Sequence, residues 1–141
     1  MDTRLFQEFL VSGDTLQVYE GSQRIFASGK DRLLPLLEYI DSFSPTSRKV
    51  VILDKIVGNA AALLSILANC QEVHSPLGSQ LAIATLDEYG IRHHFTVVVP
   101  YILQHTGNAM CPMEKLSMNK KPEEFYEAVR SVTGYVKEAT N

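Results

Sequence analysis

The residues best suited to chemistry follow a buried apolar run near the middle of the chain. Residues 50–53 are typical of a sheet strand, and Asp54 and Lys55 follow it directly. Gly58 and Asn59 then open an alanine- and leucine-rich helix over about residues 57–69. Because α/β proteins usually bind ligands where a strand ends and the next helix begins, the pattern predicts a binding site at this junction.

Lys30 is predicted to join this site from a neighbouring loop. It lies between the second predicted strand and the next predicted helix. Two ammonium groups beside helix amino termini favour an anion by about 0.3–1 kcal/mol for each helix dipole. The ligand-binding residues predicted from the sequence are Lys30, Asp54, Lys55, Gly58 and Asn59, and the ligand is a small anionic or nucleotide-like molecule.

Each of these residues also has a structural interpretation, which the sequence leaves open. The two lysines could point into water, and Asp54 could pair with Lys55 or cap the following helix. Gly58 could allow the helix to pack closely on the sheet. Asn59 could satisfy nearby backbone groups instead of a ligand.

Two further side chains could act as a base or a nucleophile. His74 ends the predicted fourth strand beside the third, so it could reach the same cleft as Asn59, and an imidazole titrates near neutrality. Cys111 lies in a long segment after the last strand and would need a basic neighbour such as His105 to become a reactive thiolate. The structural alternatives are a hydrogen-bonding histidine and a buried, inert thiol. No pair among Cys111, His105, His74 and His93 has the spacing of a metal motif, so no metal is predicted.

Length and charge favour one domain with a sizeable core. The chain has 141 residues, 45% of them hydrophobic, and a single domain over residues 1–141 is expected. The formal charge of −3 comes from 16 acidic and 13 basic residues, with no long basic run. Duplex nucleic acid is therefore not an expected partner.

No segment is predicted to enter a membrane. Residues 1–13 carry charges among their apolar positions, unlike a signal peptide. The longest apolar stretch, residues 60–68, falls well short of the roughly 20 residues that span a bilayer. A cytoplasmic location is expected, where Cys70 and Cys111 would stay reduced, and no cofactor is predicted.

The order of elements predicts a three-layer α/β/α sandwich with a mixed five-stranded sheet. A hairpin would lie at one side, and crossover helices would cover both faces. The predicted helices are residues 2–11, 33–43, 57–69, 80–88 and a last one from Pro122; the strands are residues 15–19, 24–28, 50–53, 72–74 and 94–99. Residues 100–121 read as a long loop.

This order resembles the cytidine deaminase-like superfamily, in which a hairpin precedes two helices whose amino termini carry a zinc site. Three segments are also similar to an uncharacterised bacterial family that is placed in that superfamily by its fold. They are residues 10–13 (LVSG), 54–62 (DKIVGNAAA) and 111–114 (CPME). The resemblance covers essentially the whole chain and implies the fold without implying an activity.

The zinc motifs of the deaminases are missing from the matching positions. The mechanism needs three His or Cys ligands and a Glu that shuttles protons. The chain has Ser28-Gly29-Lys30 where the resemblance places the His-Ala-Glu motif, and residues 55–59 (KIVGN) where it places Pro-Cys-x-x-Cys. Zinc-dependent deamination is therefore not expected. Since the two motifs line one cleft, the resemblance also places Lys30 in the same cleft as Lys55.

Three functions remain as expectations from the sequence. The first is binding of a nucleotide-like or other small anionic metabolite without zinc chemistry. The second is an enzyme of unassigned reaction that uses Cys111 or His74, so the sequence does not decide whether the protein is an enzyme. The third is an oligomeric regulatory module, with the N-terminal helix and residues 101–103 as a possible subunit surface.

Overall fold

Six helices and five strands alternate along the part of the chain that the structure, a computed structural model, describes: residues 2–43, 47–104 and 106–133. The elements are α1 (Thr3–Val11), β1 (Leu16–Glu20), β2 (Gln23–Ser28), α2 (Leu34–Phe43), β3 (Val50–Asp54), α3 (Asn59–Leu67), β4 (Cys70–Ser79), α4 (Gln80–Glu88), β5 (Arg92–Val99), α5 (Pro112–Ser117) and α6 (Pro122–Thr133).

The strands form one mixed sheet in the order β2-β1-β3-β4-β5. β1 is antiparallel to both of its neighbours, whereas β3, β4 and β5 run parallel to one another. The predicted mixed five-stranded sheet and the hairpin at one side are therefore confirmed.

Alternate residues of β1 and β3 point into two separate cores, as the period of a strand requires. Val50 and Ile52 belong to the larger core with residues of α2, α3, α4 and α6. Val51 and Leu53 belong to a smaller core on the other face, where Phe9 of α1 covers them. Helices therefore lie on both faces of the sheet, as predicted.

The prediction that crossover helices cover both faces was wrong in its detail. The crossover helices α3 and α4 contact each other and share the larger core, and the opposite face is covered by α1. The reason lies in the sheet order. Successive steps from β3 to β4 to β5 go in the same direction, and right-handed crossovers in one direction place their helices on one face.

Two elements differ from the sequence prediction. β4 extends to Ser79 because its second half pairs with Val97–Val99 of β5, although Pro76 and Gly78 are typical of a loop. Gly78 suits this position because a Cβ there would lie 2.0 Å from the ring of Phe95. Helix α5 lies within residues predicted to form a loop. Within the described ranges, no helix has the length and apolar character needed to cross a membrane.

Candidate functional site

Three chain segments meet around Thr15 at one edge of the sheet. The hydroxyl oxygen of Thr15 lies 3.1 Å from the carbonyl oxygen of Ser28 and 2.5 Å from that of Lys30, so its one O–H is shared between the two acceptors. The backbone N–H of Lys55 donates to the carbonyl of Thr15 at 3.1 Å. We call residues 12–15, 28–30 and 54–55 the Thr15 corner. It brings the backbones of Lys30 and Lys55 to one place, as the strand order requires.

The side chain of Lys55 is half-buried against α1. Its Nζ donates to the carbonyl oxygens of Ser12 (3.2 Å) and Asp14 (2.8 Å), and it lies 4.7 Å from the ring centre of Phe9. The ammonium group therefore stabilises the carboxyl end of α1, where a positive charge is favourable. The sequence interpretation, which placed Lys55 beside helix amino termini, was wrong on this point.

Lys30 is more exposed and forms an ion pair. Its Nζ lies 2.7 Å from Oε2 of Glu38, a residue of α2. Exposed ion pairs of this kind contribute only about 0–1 kcal/mol. The ion pair holds the Lys30 ammonium group beside α2, on a side chain that is 55% exposed.

Asp54 ends β3 at the same corner, and its carboxyl group is half-buried. Its Oδ1 lies 3.5 Å from the backbone N–H of Ile56, which is a weak hydrogen bond. Burial raises the pKa of Asp54 to about 7, because the backbone N–H groups of Ile56 and Lys55 only partly offset the loss of solvent. The carboxyl group therefore gains or loses its proton close to neutral pH.

Gly58 and Asn59 belong to a separate, buried polar network. The carboxylate of Glu114, which is 2% exposed, accepts the backbone N–H of Asn59 at 2.5 Å and that of Ile102 at 2.9 Å. Gly58 permits this approach, since a Cβ on it would lie 2.5 Å from Oε1 of Glu114. The amino end of α3 thus already has an anion, and the chain itself supplies it.

The side-chain amide of Asn59 is fully used inside the protein. Its Nδ2 donates to the carbonyl oxygen (3.1 Å) and the hydroxyl (3.0 Å) of Ser117, and its Oδ1 accepts from the hydroxyl of Thr85. This geometry corrects the expectation that Asn59 faces a ligand. The amide instead joins α3 to α4 and α5, which is the structural role that the sequence left open.

The five predicted ligand residues therefore fall into two groups. The backbones of Lys30, Asp54 and Lys55 meet at the Thr15 corner, from which the lysine side chains extend to different helices. Gly58 and Asn59 lie in the Glu114 network. Between them, Val57 is fully buried and bridges to Gly78 of β4. The polar contacts of these two groups are with different parts of the chain, so the five residues do not form one site.

His74 lies on the face of the sheet that α1 covers. Its ring is 6.0 Å from the ring centres of both Phe6 and His94, and its Nε2 is 2.6 Å from Oε2 of Glu72. Burial lowers the pKa of His74 despite the opposing pull of the Glu72 carboxylate. Because α3 packs on the opposite face, His74 does not share a cleft with Asn59, and that expectation is corrected.

Cys111 is half-buried at the start of α5. Its backbone N–H donates to the carbonyl of Ile102 at 2.8 Å, and its carbonyl accepts from Lys115 at 3.0 Å. His105, the base considered for it, lies outside the described residues. His93 faces α4, where its Nε2 is 3.0 Å from Oδ1 of Asp87. In the ranges that the structure covers, no three His, Cys, Asp or Glu side chains are grouped to hold a metal ion.

A surface cavity of about 300 Å³ lies between α2, the end of α3 and α6. It is lined by Ile40, Asp41, Leu67, Glu123, Tyr126, Glu127 and Arg130. Three carboxylates face one guanidinium there, so its charge does not favour an anion. None of the predicted site residues lines it.

The residue that sequence reasoning missed is Glu114. The sequence does not reveal its role, because its partners Asn59 and Ile102 come from elsewhere in the chain. A local signal existed for α5: Pro112 followed by an acidic residue is typical of the first turn of a helix.

The fold and these contacts define a mixed five-stranded α/β sandwich with one buried polar network and one more exposed polar corner. The chain belongs to the family described as a domain of unknown function, DUF1893, whose model matches residues 6–133. It is similar to the crystal structure of TM1506, a DUF1893 family protein from Thermotoga maritima, with a TM-score of 0.80 and 28% sequence identity. The match covers 92% of this chain and 86% of that one. No curated protein matches the chain.

Proposed function

We propose that this protein binds a nucleotide-like or other small anionic metabolite at the Thr15 corner, in a cytidine deaminase-like fold that performs no zinc chemistry. The observation that carries the proposal is the meeting of Lys30 and Lys55 around Thr15. The backbones of Lys30 and Lys55 come from distant parts of the chain to one edge of the sheet, and their ammonium groups extend from there toward α2 and α1. Beside them lies the carboxyl group of Asp54, which is largely neutral below about pH 7.

The element order supports the fold part of the proposal. An antiparallel hairpin precedes α2, and parallel strands follow it, which is the order on which the resemblance to the deaminase-like superfamily rests. The segment before α2 carries Ser28-Gly29-Lys30, and the segment before α3 carries no thiol or imidazole. The donor set at these two positions does not fit zinc, and ammonium groups there suit an anion instead.

Both lysines retain capacity for a ligand. An ammonium group has three N–H donors, and two of those of Lys55 are used by the carbonyl oxygens of Ser12 and Asp14. The third remains for a ligand oxygen. The side chain of Lys30 is 55% exposed, so a phosphate or carboxylate can approach its ammonium group from solvent beside Glu38.

The ligand would not use the amino end of α3. The Glu114 carboxylate occupies the backbone N–H of Asn59, and a second anion beside it would be repelled. In this proposal Gly58 and Asn59 act indirectly, by fixing α3 behind the Thr15 corner, and the contacts to the ligand come from Lys30, Asp54 and Lys55.

Isothermal titration calorimetry with inorganic phosphate and with nucleoside mono-, di- and triphosphates tests the proposal. We expect at least one of these to bind the native protein, and the affinity to fall at least tenfold in Lys55→Met, which keeps the apolar stem but removes the charge. Lys49→Met is the matched control. The ammonium group of Lys49 also donates to a polar atom, Oδ1 of Asn69 at 3.0 Å, but Lys49 lies at the opposite end of β3 from Lys55.

The pH dependence of the same titration adds a second criterion. Ionised Asp54 repels an anion, so the affinity should fall between about pH 6 and about pH 8 in the native protein, and Asp54→Asn should remove most of that fall. A flat response of the native protein to the whole panel would contradict the proposal. So would equal losses in Lys55→Met and Lys49→Met.

A further inference from the structure

The strand β5 is a free edge of the sheet within the described residues. It is last in the strand order and pairs only with β4. The carboxyl-terminal half of β5 is exposed on both faces of the sheet. Val97 and Val98, which point to opposite faces, are 52% and 43% accessible. The chain beyond it continues the apolar surface, since Leu103 is 50% accessible. The outward N–H and C=O groups of β5 are therefore open to another strand.

The two edges of this sheet differ in how they are protected. The β2 edge carries exposed Gln23 and Arg24, and the pairing of β2 with β1 is interrupted by a bulge at Val18 and Tyr19. Charged residues and bulges are the usual devices that prevent strand association at an edge. The β5 edge has one charged residue, Arg92, at its first position, and over the described residues of the two strands its pairing with β4 has no bulge. No Asp, Glu, Lys or Arg occurs from residue 93 to residue 113.

The sequence of β5 suits pairing with itself. If two copies run antiparallel about a two-fold axis at Val97, then Phe95 of one copy faces Val99 of the other, and Thr96 faces Val98. Each facing pair lies on one side of the sheet, and Val97 meets its own counterpart at the axis. Arg92, the nearest charged residue, would face residue 102, so no like charges oppose each other.

We propose that two copies of this chain associate through their β5 strands in antiparallel register, which joins the two five-stranded sheets into one continuous sheet. This surface is distinct from the Thr15 corner, since β5 and β2 lie at opposite sides of the sheet. A second copy is the occupant that this edge fits, because the residues that face each other about Val97 are uncharged and four of the five from residue 95 to residue 99 are apolar.

Light scattering coupled to size-exclusion chromatography tests the proposal. The native protein should elute as a dimer that dissociates on dilution. Val97→Lys should be monomeric at loadings where the native protein is dimeric, because two ammonium groups would face each other at the axis. Val11→Lys is the matched control: Val11 is 88% exposed on α1, away from the edge, and its variant should remain a dimer.

A covalent test fixes the register and does not depend on the charge variant folding well. In a Cys111→Ser background, Val97→Cys should form a disulfide-linked dimer on mild oxidation, because directly opposed residues meet the distance that a disulfide needs. Val11→Cys should not. A native protein that stays monomeric across the dilution series would overturn the proposal and leave the edge to a different partner. Equal cross-linking of both cysteine variants would also overturn it.

Discussion

The amino end of α3 and the Thr15 corner are both rich in polar groups, but these groups differ in their burial and in their hydrogen-bonding partners. At α3, the Glu114 carboxylate and the Asn59 amide are buried and every one of their hydrogen-bonding atoms meets another protein group. At the corner, Lys30 forms an ion pair from a side chain that is 55% exposed, and the carboxyl group of Asp54 has the backbone N–H groups of Ile56 and Lys55 as partners, which only partly offset its burial. A closed network favours a structural role, whereas half-exposed groups favour a ligand.

Glu114→Ala should produce the largest effect on stability. It leaves the buried N–H groups of Asn59 and Ile102 without an acceptor and opens a cavity, so we expect the free energy of unfolding to fall by about 3–4 kcal/mol. Glu38→Ala, which removes the partner of Lys30 at the Thr15 corner, should cost less than about 1 kcal/mol. Urea denaturation of both variants measures the difference. Equal, small losses would show that the two regions do not differ as described.

Gly58→Ala tests the close approach within the α3 network. The added Cβ would lie 2.5 Å from Oε1 of Glu114 and 2.7 Å from Cγ1 of Ile102. We expect a loss of about 1–3 kcal/mol, as for other overpacked interiors. Gly13→Ala is the control, since a Cβ there meets nothing within 4 Å, and it should leave the denaturation midpoint unchanged or slightly higher. A neutral Gly58→Ala would argue against a tightly packed Glu114.

Asp54→Asn should change how stability depends on pH. The pKa of Asp54 is raised from 3.8 to about 7 in the folded state, so the folded protein binds a proton that the unfolded chain has released in this interval. Stability contributed by this group is therefore present at acidic pH and is lost as the pH rises from about 4 to about 7. At about pH 8, Asp54→Asn should be more stable than the native protein by roughly 2 kcal/mol, allowing for partial exposure of the carboxyl group.

Thermal unfolding of the two proteins at several pH values measures this effect. The native curve should fall across the interval, and the Asp54→Asn curve should be flatter. If the two curves run parallel, the carboxyl group of Asp54 does not titrate near neutrality. The Thr15 corner would then not differ from the α3 network by having a carboxyl group with a raised pKa.

Lys55→Met and Lys30→Met should give the smallest effects and differ from each other. Loss of the Lys55 ammonium removes two hydrogen bonds at the end of α1, so we expect about 1 kcal/mol and faster amide hydrogen exchange in that helix. Lys30→Met loses an exposed ion pair and should cost less than about 0.5 kcal/mol. Unchanged exchange in α1 after Lys55→Met would show that this lysine does not hold the helix.

The elements that the sequence predicts well have signals within a few residues. The β1–β2 turn contains Gly21, which adopts a φ of 61°, and α3 ends before Asn69 at a φ of 69°. Helix α6 begins at Pro122, where a missing N–H costs little. The position of this turn and of these helix ends depends on local backbone conformation, which the residue types indicate directly.

The features that the sequence misses depend on contacts between distant residues. β4 continues through Pro76 only because β5 pairs with its second half. Lys55 points to the carboxyl end of α1 because antiparallel pairing of β1 with β3 brings residues 14–16 beside it, although it precedes α3 in sequence. Glu114 reaches Asn59 across 55 residues, and no local pattern could reveal that contact.

The central claim is that an anion binds at the Thr15 corner and that the α3 network is already complete. A nuclear magnetic resonance titration of the amide signals with inorganic phosphate and a nucleoside diphosphate tests this most directly. The signals of Thr15, Lys30 and Lys55 should shift, while those of Asn59 and Ile102 stay in place. Shifts centred on Asn59 and Ile102 would mean that the ligand displaces Glu114, and would contradict the claim.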